Sequence, residues 1–289
     1  MKNFMLLACS LAVFFSCKNE SNSIETPSTE QSENKVNDQK IVSLSGAVTE
    51  TLALLGEEKN IVGTDVTSTY PASVKEHAQD LGHVMSITAE PLITLQPTVV
   101  FGSSKDLKPE LIDQVKKAGI EVKIIDQDFT IEGSKKLIKT VAESIGNTNY
   151  QQYIDAIDTK IKDLKPLAKK PKVLFIYARG AGTLMIAGNN TPMKSIIEIA
   201  GGENAVNDVD DYKPLTPEAL INANPDYLLF FDKGLESLGG VEGAIKLEGV
   251  SATNAGKNKK IISMDGQLLS GFGPRVADAA VQLNELIQK

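Results

Sequence analysis

Two stretches of this chain are copies of one another. TAEPLITLQPTVVF (Thr88 to Phe101) and TPEALINANPDYLLF (Thr216 to Phe230) align at a constant offset, pairing Thr88 with Thr216, Glu90 with Glu218, Leu92 with Leu220, Ile93 with Ile221 and Pro97 with Pro225. Each reads as a short helix feeding a buried strand, so the repeat constrains the fold to two like α/β units. Shared βα physics explains the leucines and prolines. The two glutamates have one local explanation, the preference of a carboxylate for the first turn of a helix. A paired role on two lobes is the other.

The flanking pattern supports this architecture. IVSLSG, NIVGTD, TVVFGSS and EVKIID read as strands, and VTETLALLG reads as a helix closed by Gly56. After Gly146, the residues Tyr150, Tyr153, Ile154, Ile157, Ile161 and Leu164 recur at three- and four-residue spacing, and the pattern predicts a long helix stopped by Pro171. Strand-like KVLFIYA, TLMIAG, PDYLLFF and KKIISMDG follow, with TPMKSIIEIAGG and the terminal VADAAVQLNELIQK as helices. The expected organisation is an N-terminal α/β lobe over 40–147, a linking helix over 148–170 and a C-terminal α/β lobe over 171–289. Each lobe is expected to have a mostly parallel sheet flanked by helices.

The first 39 residues stand apart. Lys2, the apolar run Phe4 to Phe15 and then Ser16 and Cys17 have the shape of a secretory leader, too short to span a bilayer. Residues 1–17 are therefore expected to be a lipoprotein signal peptide with Cys17 as the lipidated residue, although Phe14 and Phe15 stand where Leu and a small residue are usual. Residues 18–39 are almost all polar and read as a disordered tether. Both cysteines, Cys9 and Cys17, lie in the leader, so neither a disulfide nor thiol chemistry is expected in the folded part. The chain is thus expected to be exported, anchored by lipid, and displayed on the periplasmic or cell-surface side.

Charge and motifs exclude several functions. A net charge of −7 with scattered lysines argues against nucleic acid as a partner. G-x-S-x-G, H-E-x-x-H and the phosphate-loop pattern are all missing, so an enzyme is disfavoured and no catalytic cofactor is expected. Two histidines and no cysteine after the leader leave few ligands for a closed zinc or manganese site.

Chemistry-bearing residues are few, which makes them conspicuous. His83 follows Gly82 in a loop, whereas His77 sits on a polar helix face and is expected to be solvated. Arg179 and Arg275 are the only arginines, in the glycine-bearing loops YARGAG and SGFGPR, and a guanidinium fork suits a carboxylate better than an ammonium does. For Arg275 the alternative is a structural tie to a loop. Tyr177, Met185, Asn189 and Asn190 flank that region. Thr191 is placed to cap the helix that begins at Pro192.

From Lys40 onward the chain resembles the substrate-binding proteins of ABC importers in which two α/β lobes are joined by one rigid helix. The segments IVSLSGAVTETLALLG, VGTDVTSTYP, GHVMSITAEPLITLQP, MIAGNNTPMKSIIEIAGGENAV and LLSGFGPR are most similar to the hemin-binding branch. The resemblance implies a monomer that carries heme as transported ligand to a membrane permease with its ATPase, with Glu90 and Glu218 docking on the permease. It also implies that His83, at the place usually held by a tyrosine in Gly-Tyr-Met-Arg, ligates the heme iron, as imidazole can. Met85, at the arginine place, is a second candidate ligand or, alternatively, an apolar wall for the macrocycle. Arg179 and Arg275 would meet the propionates, beside Tyr177 and Asn189, and Tyr70 is an alternative phenolate ligand. Ferric siderophore or cobalamin capture is the alternative within the class. Cobalamin would favour a more aromatic cleft than a chain with no Trp and 5% aromatic residues offers.

Overall fold

The computed structural model describes residues 39–288, and residues 38–289 form one compact unit. Cys17 and the expected leader and tether up to residue 38 lie outside the described residues.

The first lobe is built on β1 (Ile41–Ser43), β2 (Ile61–Thr64), β3 (Gln79–Asp80), β4 (Val99–Gly102) and β5 (Glu121–Ile124), all parallel in the order β3-β2-β1-β4-β5. Its helices are α1 (Gly46–Leu54), α2 (Ala89–Thr94) and α3 (Pro109–Lys117). The two-residue period of the strands divides the core. Ile41, Val99 and Phe101 pack with Val48 and Leu52 of α1, while Val42 and Val100 pack with Leu92, Leu111 and Val115 on the opposite face. Burying a Leu or Phe in this way contributes about 1.5–3 kcal/mol.

Two helices join the lobes, α4 (Ile131–Ser144) and α5 (Gln151–Ile161). Leu137 and Val141 of α4 belong to the first lobe's core and Ile138 to the second's, so the helix is wedged between them. The periodicity toward Lys170 overstates α5. The helix closes at Ile161, because Pro166 has no N–H for the Lys162 carbonyl and pushes Lys165 out of the helical region, and Asn284 captures the Lys165 backbone by accepting its N–H at 3.1 Å and donating to its carbonyl at 3.0 Å. Leu164 and Leu167 then pack on the second core from irregular chain.

The second lobe has β6 (Lys172–Ala178), β7 (Leu184–Ala187), β8 (Glu203–Asn204), β9 (Tyr212–Pro214), β10 (Tyr227–Phe231) and β11 (Ile261–Met264). Its order is β11-β10-β6-β7-β9, with β8 also paired to β6. The sheet is mixed, since β7 runs antiparallel to both β6 and β9. The short strands β3, β8 and β9 lack the apolar runs that reveal the others. The helices are α6 (Pro192–Ile199), α7 (Pro217–Ala223), α8 (Asp232–Ser237), α9 (Gly240–Ile245), α10 (Asn254–Lys257), α11 (Gly266–Ser270) and α12 (Val276–Leu286). Thr191 caps α6 as expected, its hydroxyl accepting the N–H of Lys194.

The repeat is visible in the backbone. α2 and α7 occupy equivalent places, and each is followed by a residue with positive φ at the matching position, Gln96 at 50° and Asn224 at 39°. Among the described residues no helix is long and apolar enough to cross a membrane.

Candidate ligand-binding cleft

The carboxyl ends of parallel strands are where open α/β sheets present their loops to ligands. Here those ends meet across a cavity of about 510 Å³. Ser45, Thr67 and Asp106 line it from the first lobe, Gln127 and Phe129 from the link, and Phe231 and Gln267 from the second lobe. The walls are thus two aromatic rings, the floor is hydroxyls and amides, and one carboxylate faces in. Gly46 is required there, because a Cβ would stand 2.6 Å from the Thr67 carbonyl oxygen.

The floor is held by bonds that sequence reading did not anticipate. Gln267 Oε1 accepts the N–H of Thr69 (2.6 Å), the hydroxyl of Thr69 (2.8 Å) and the N–H of Tyr70 (2.8 Å), while its Nε2 donates to the Gly46 carbonyl at 2.9 Å. Gln127 Nε2 donates to the carbonyls of Gly271 and Phe272, and Ser134 Oγ donates to the Phe272 carbonyl as well. These bonds hold Phe272 at φ 48°, a region disfavoured for a bulky side chain. Beneath the floor, Asp65 accepts from Thr67 and Ser68, and Ser68 hydrogen-bonds onward to Thr49. Burial pushes the Asp65 carboxyl above its ordinary range despite these bonds. On the same edge of the sheet, exposed Asp126 is held below that range by the N–H and hydroxyl of Ser104.

The residues singled out from sequence divide into two groups. His83 is exposed on the loop after β3, and its ring has no hydrogen-bond partner among the described residues. Met85, 50% exposed, is two residues on. Neither lines the cavity; both stand outside it on the loop after β3, the outermost strand of the sheet, at the outer rim of its carboxyl edge. Arg179 is exposed in the turn between β6 and β7, just past the carboxyl end of β6, where its N–H donates to the Thr183 carbonyl. Tyr177 stands edge-on to Phe231 at 6.3 Å between ring centres. Glu90 and Glu218 are exposed in the first turns of α2 and α7. Each of those helices precedes a strand of its parallel ladder, so both carboxylates stand at the carboxyl edges on which the cleft lies.

The second group is engaged elsewhere. Arg275 does not face the cavity. Its Nη2 donates to Glu50 Oε2 at 2.8 Å, its backbone N–H donates to Glu50 Oε1 at 3.1 Å, and its guanidinium carbon lies 3.6 Å from the centre of the Tyr70 ring. This is the structural tie, made to a buried carboxylate rather than to loop carbonyls. Tyr70 has its ring face stacked on Arg275 and is not part of the cavity wall. Asn189 donates its side-chain amide to the Asn207 carbonyl and its N–H to that of Val209, at the end of β7 remote from the Arg179 turn, and it is not part of the cavity wall. The ring nitrogens of His77 lie 3.1 and 3.0 Å from the carbonyls of Ser73 and Glu58, so it is a local tie rather than a purely solvated side chain.

The sequence matches the model of periplasmic binding proteins over residues 41–268. The chain belongs to that family. That family is one of substrate-binding transport proteins. It is 28% identical over 256 residues to the uncharacterized ABC transporter substrate-binding lipoprotein YvrC of Bacillus subtilis, covering 86% of this chain and 79% of that protein. It is 26% identical over 242 residues to the high-affinity heme uptake system protein IsdE of Staphylococcus aureus, covering 81% and 78%. Among solved structures it is similar to the apo periplasmic heme-binding protein RhuT from Roseiflexus sp. RS-1, with a TM-score of 0.82, 34% identity, and coverage of 86% of this chain and 98% of that one. The heme-binding protein BhuT in complex with two hemes gives a TM-score of 0.82, 31% identity and the same coverage.

Proposed function

We propose that this periplasmic binding protein captures heme between its lobes and delivers it to a membrane permease and its ATPase. The observation that carries this reading is the cavity walled by Phe129 and Phe231, and the unpartnered imidazole of His83 stands on a loop of the same carboxyl edge, after the outermost strand β3. Aromatic walls suit a planar macrocycle, and a neutral imidazole suits its iron. RhuT and BhuT, named as heme-binding, support the ligand by likeness. With Arg275 engaged by Glu50, Arg179 is the arginine left for a propionate, beside Tyr177 and Met85 as apolar cover.

Glu90 and Glu218, one on each lobe, offer the permease an opposed pair of carboxylates that steers the encounter and sets register. Lipid anchorage through Cys17 is part of the same proposal, supported by the leader pattern and by the lipoprotein YvrC. The protein then acts as an extracytoplasmic monomer.

One observation favours a ferric siderophore instead. The cavity floor presents hydroxyls, amides and Asp106 rather than cations, a lining suited to an already chelated metal. Thermal unfolding of residues 38–289 with excess hemin, a ferric hydroxamate or cyanocobalamin separates these ligands. A ligand at a hundredfold its Kd adds about 2.7 kcal/mol, an upward shift of several degrees. Heme capture predicts that shift with hemin alone, and a shift with the hydroxamate or cobalamin alone contradicts it.

A further inference from the structure

We propose that Glu50, Arg275 and Gln267 form a clasp that fixes the opening between the lobes, so that they are positioning residues for the ligand although Glu50 and Arg275 do not line its cavity. This rests on the cleft being the ligand site and goes beyond what ligand it takes. The linking helix α5 alone does not account for a fixed opening. α5 has 11 residues, about 16 Å at helical rise, and gives way to irregular chain before β6.

The clasp grips main chain. Gln267 of α11 holds two separate first-lobe segments at once, through the Gly46 carbonyl and through the N–H groups of Thr69 and Tyr70. Backbone partners cannot follow a departing lobe by changing rotamer, as paired side chains can. Gln267 Nε2 also reaches Glu50 Oε2 at 3.3 Å, which joins the amide to the ion pair. Glu50 is nearly buried on α1, and the guanidinium it binds is stacked on Tyr70. Gln267 therefore ties the second lobe to the start of α1 and to the loop after β2, and Arg275 ties it to the middle of α1 through Glu50 and to that loop through Tyr70.

Those same segments, Ser45 to Ala47, Thr67 to Thr69 and Gly266 to Gly271, wall the cavity. A change in the clasp thus changes the gap in which a ligand sits. A gap of set width accepts a flat ligand of matching thickness without lobe closure, which avoids the cost of ordering on binding.

The chain after the leader has no cysteine, which permits a direct test. Spin labels at Lys116→Cys on α3 and Lys257→Cys on α10 report the inter-lobe distance by pulsed electron resonance in residues 38–289. The clasp predicts one narrow distance distribution in the parent, a broadened one in Glu50→Gln and in Gln267→Ala, and hemin release about tenfold faster in Glu50→Gln. If Glu50→Gln does not fold, Gln267→Ala decides the distance question. Unchanged distributions overturn the clasp, and broadened distributions with an unchanged hemin off-rate overturn its positioning role. If the parent binds no hemin, the heme reading fails, while the distances still decide the clasp.

Discussion

The rim and the floor of the cleft carry the same kinds of residue in opposite conditions. On the outer rim of the sheets' carboxyl edges, His83, Arg179, Glu90 and Glu218 are exposed with no side-chain partner among the described residues. On the floor Gln127 and Gln267, and behind it Glu50 and Arg275, are engaged with one another or with backbone. A polar group on the floor has exchanged water for protein and is costly to strand, whereas one on the rim keeps its solvent. Chemistry toward a ligand is therefore available at the rim, and geometry is determined at the floor.

The contrast breaks most readily at Glu50. Replacing it with Ala leaves the Arg275 guanidinium, three-quarters covered, without its carboxylate, and the expected loss is about 3–5 kcal/mol in urea unfolding. Arg179→Ala on the rim is expected to stay within about 0.5 kcal/mol. Equal losses for the two would erase the distinction.

The repeat offers a milder comparison. Thr216 caps α7 by accepting the N–H of Ala219 at 3.1 Å, but the Thr88 side chain makes no such bond to α2. Thr216→Ala is expected to cost about 1 kcal/mol and Thr88→Ala a few tenths at most, read from the same unfolding curves. A reversed order would mean that the two copies are capped otherwise.

The smallest effect separates two carboxylates of one sheet edge by pH. Asp65 is raised by burial, so in the window from the ordinary carboxylate value up to its folded value the native state binds the extra proton. Its contribution to stability falls as pH rises through that window. Asp126 is held low by Ser104, so its contribution is present above the ordinary value and is lost as pH falls through its folded value. Urea midpoints taken between pH 3 and 7 are expected to change slope in opposite senses for Asp65→Asn and Asp126→Asn. Parallel changes would contradict the assigned environments.

The two α/β lobes were legible because strands such as Ile41–Ser43, Val99–Gly102 and Tyr227–Phe231 are apolar runs, and because the repeat places Gln96 and Asn224 at the same left-handed turn. The end of α5 was legible in Pro166, which has no N–H for the Lys162 carbonyl and biases Lys165 away from helix, but the apolar spacing through Leu164 outweighs that signal in the pattern. Only the hold of Asn284 on Lys165, far along the chain, carries no local signal. Arginine type and loop position drew attention to Arg179 and Arg275 alike. Only the spatial approach of Glu50 and Tyr70 shows that Arg275 is occupied. Gln267, an ordinary residue in a five-residue helix, carries no sequence signal for its role.

The most direct measurement is a titration of residues 38–289 with ferric hemin, following the Soret and visible bands for the parent and for His83→Ala. Heme capture through the rim predicts a saturable spectrum of histidine-ligated type in the parent that is lost in the variant. Saturable binding with the same spectrum in both would remove His83 as ligand, and no saturable binding in the parent would contradict heme as the cargo.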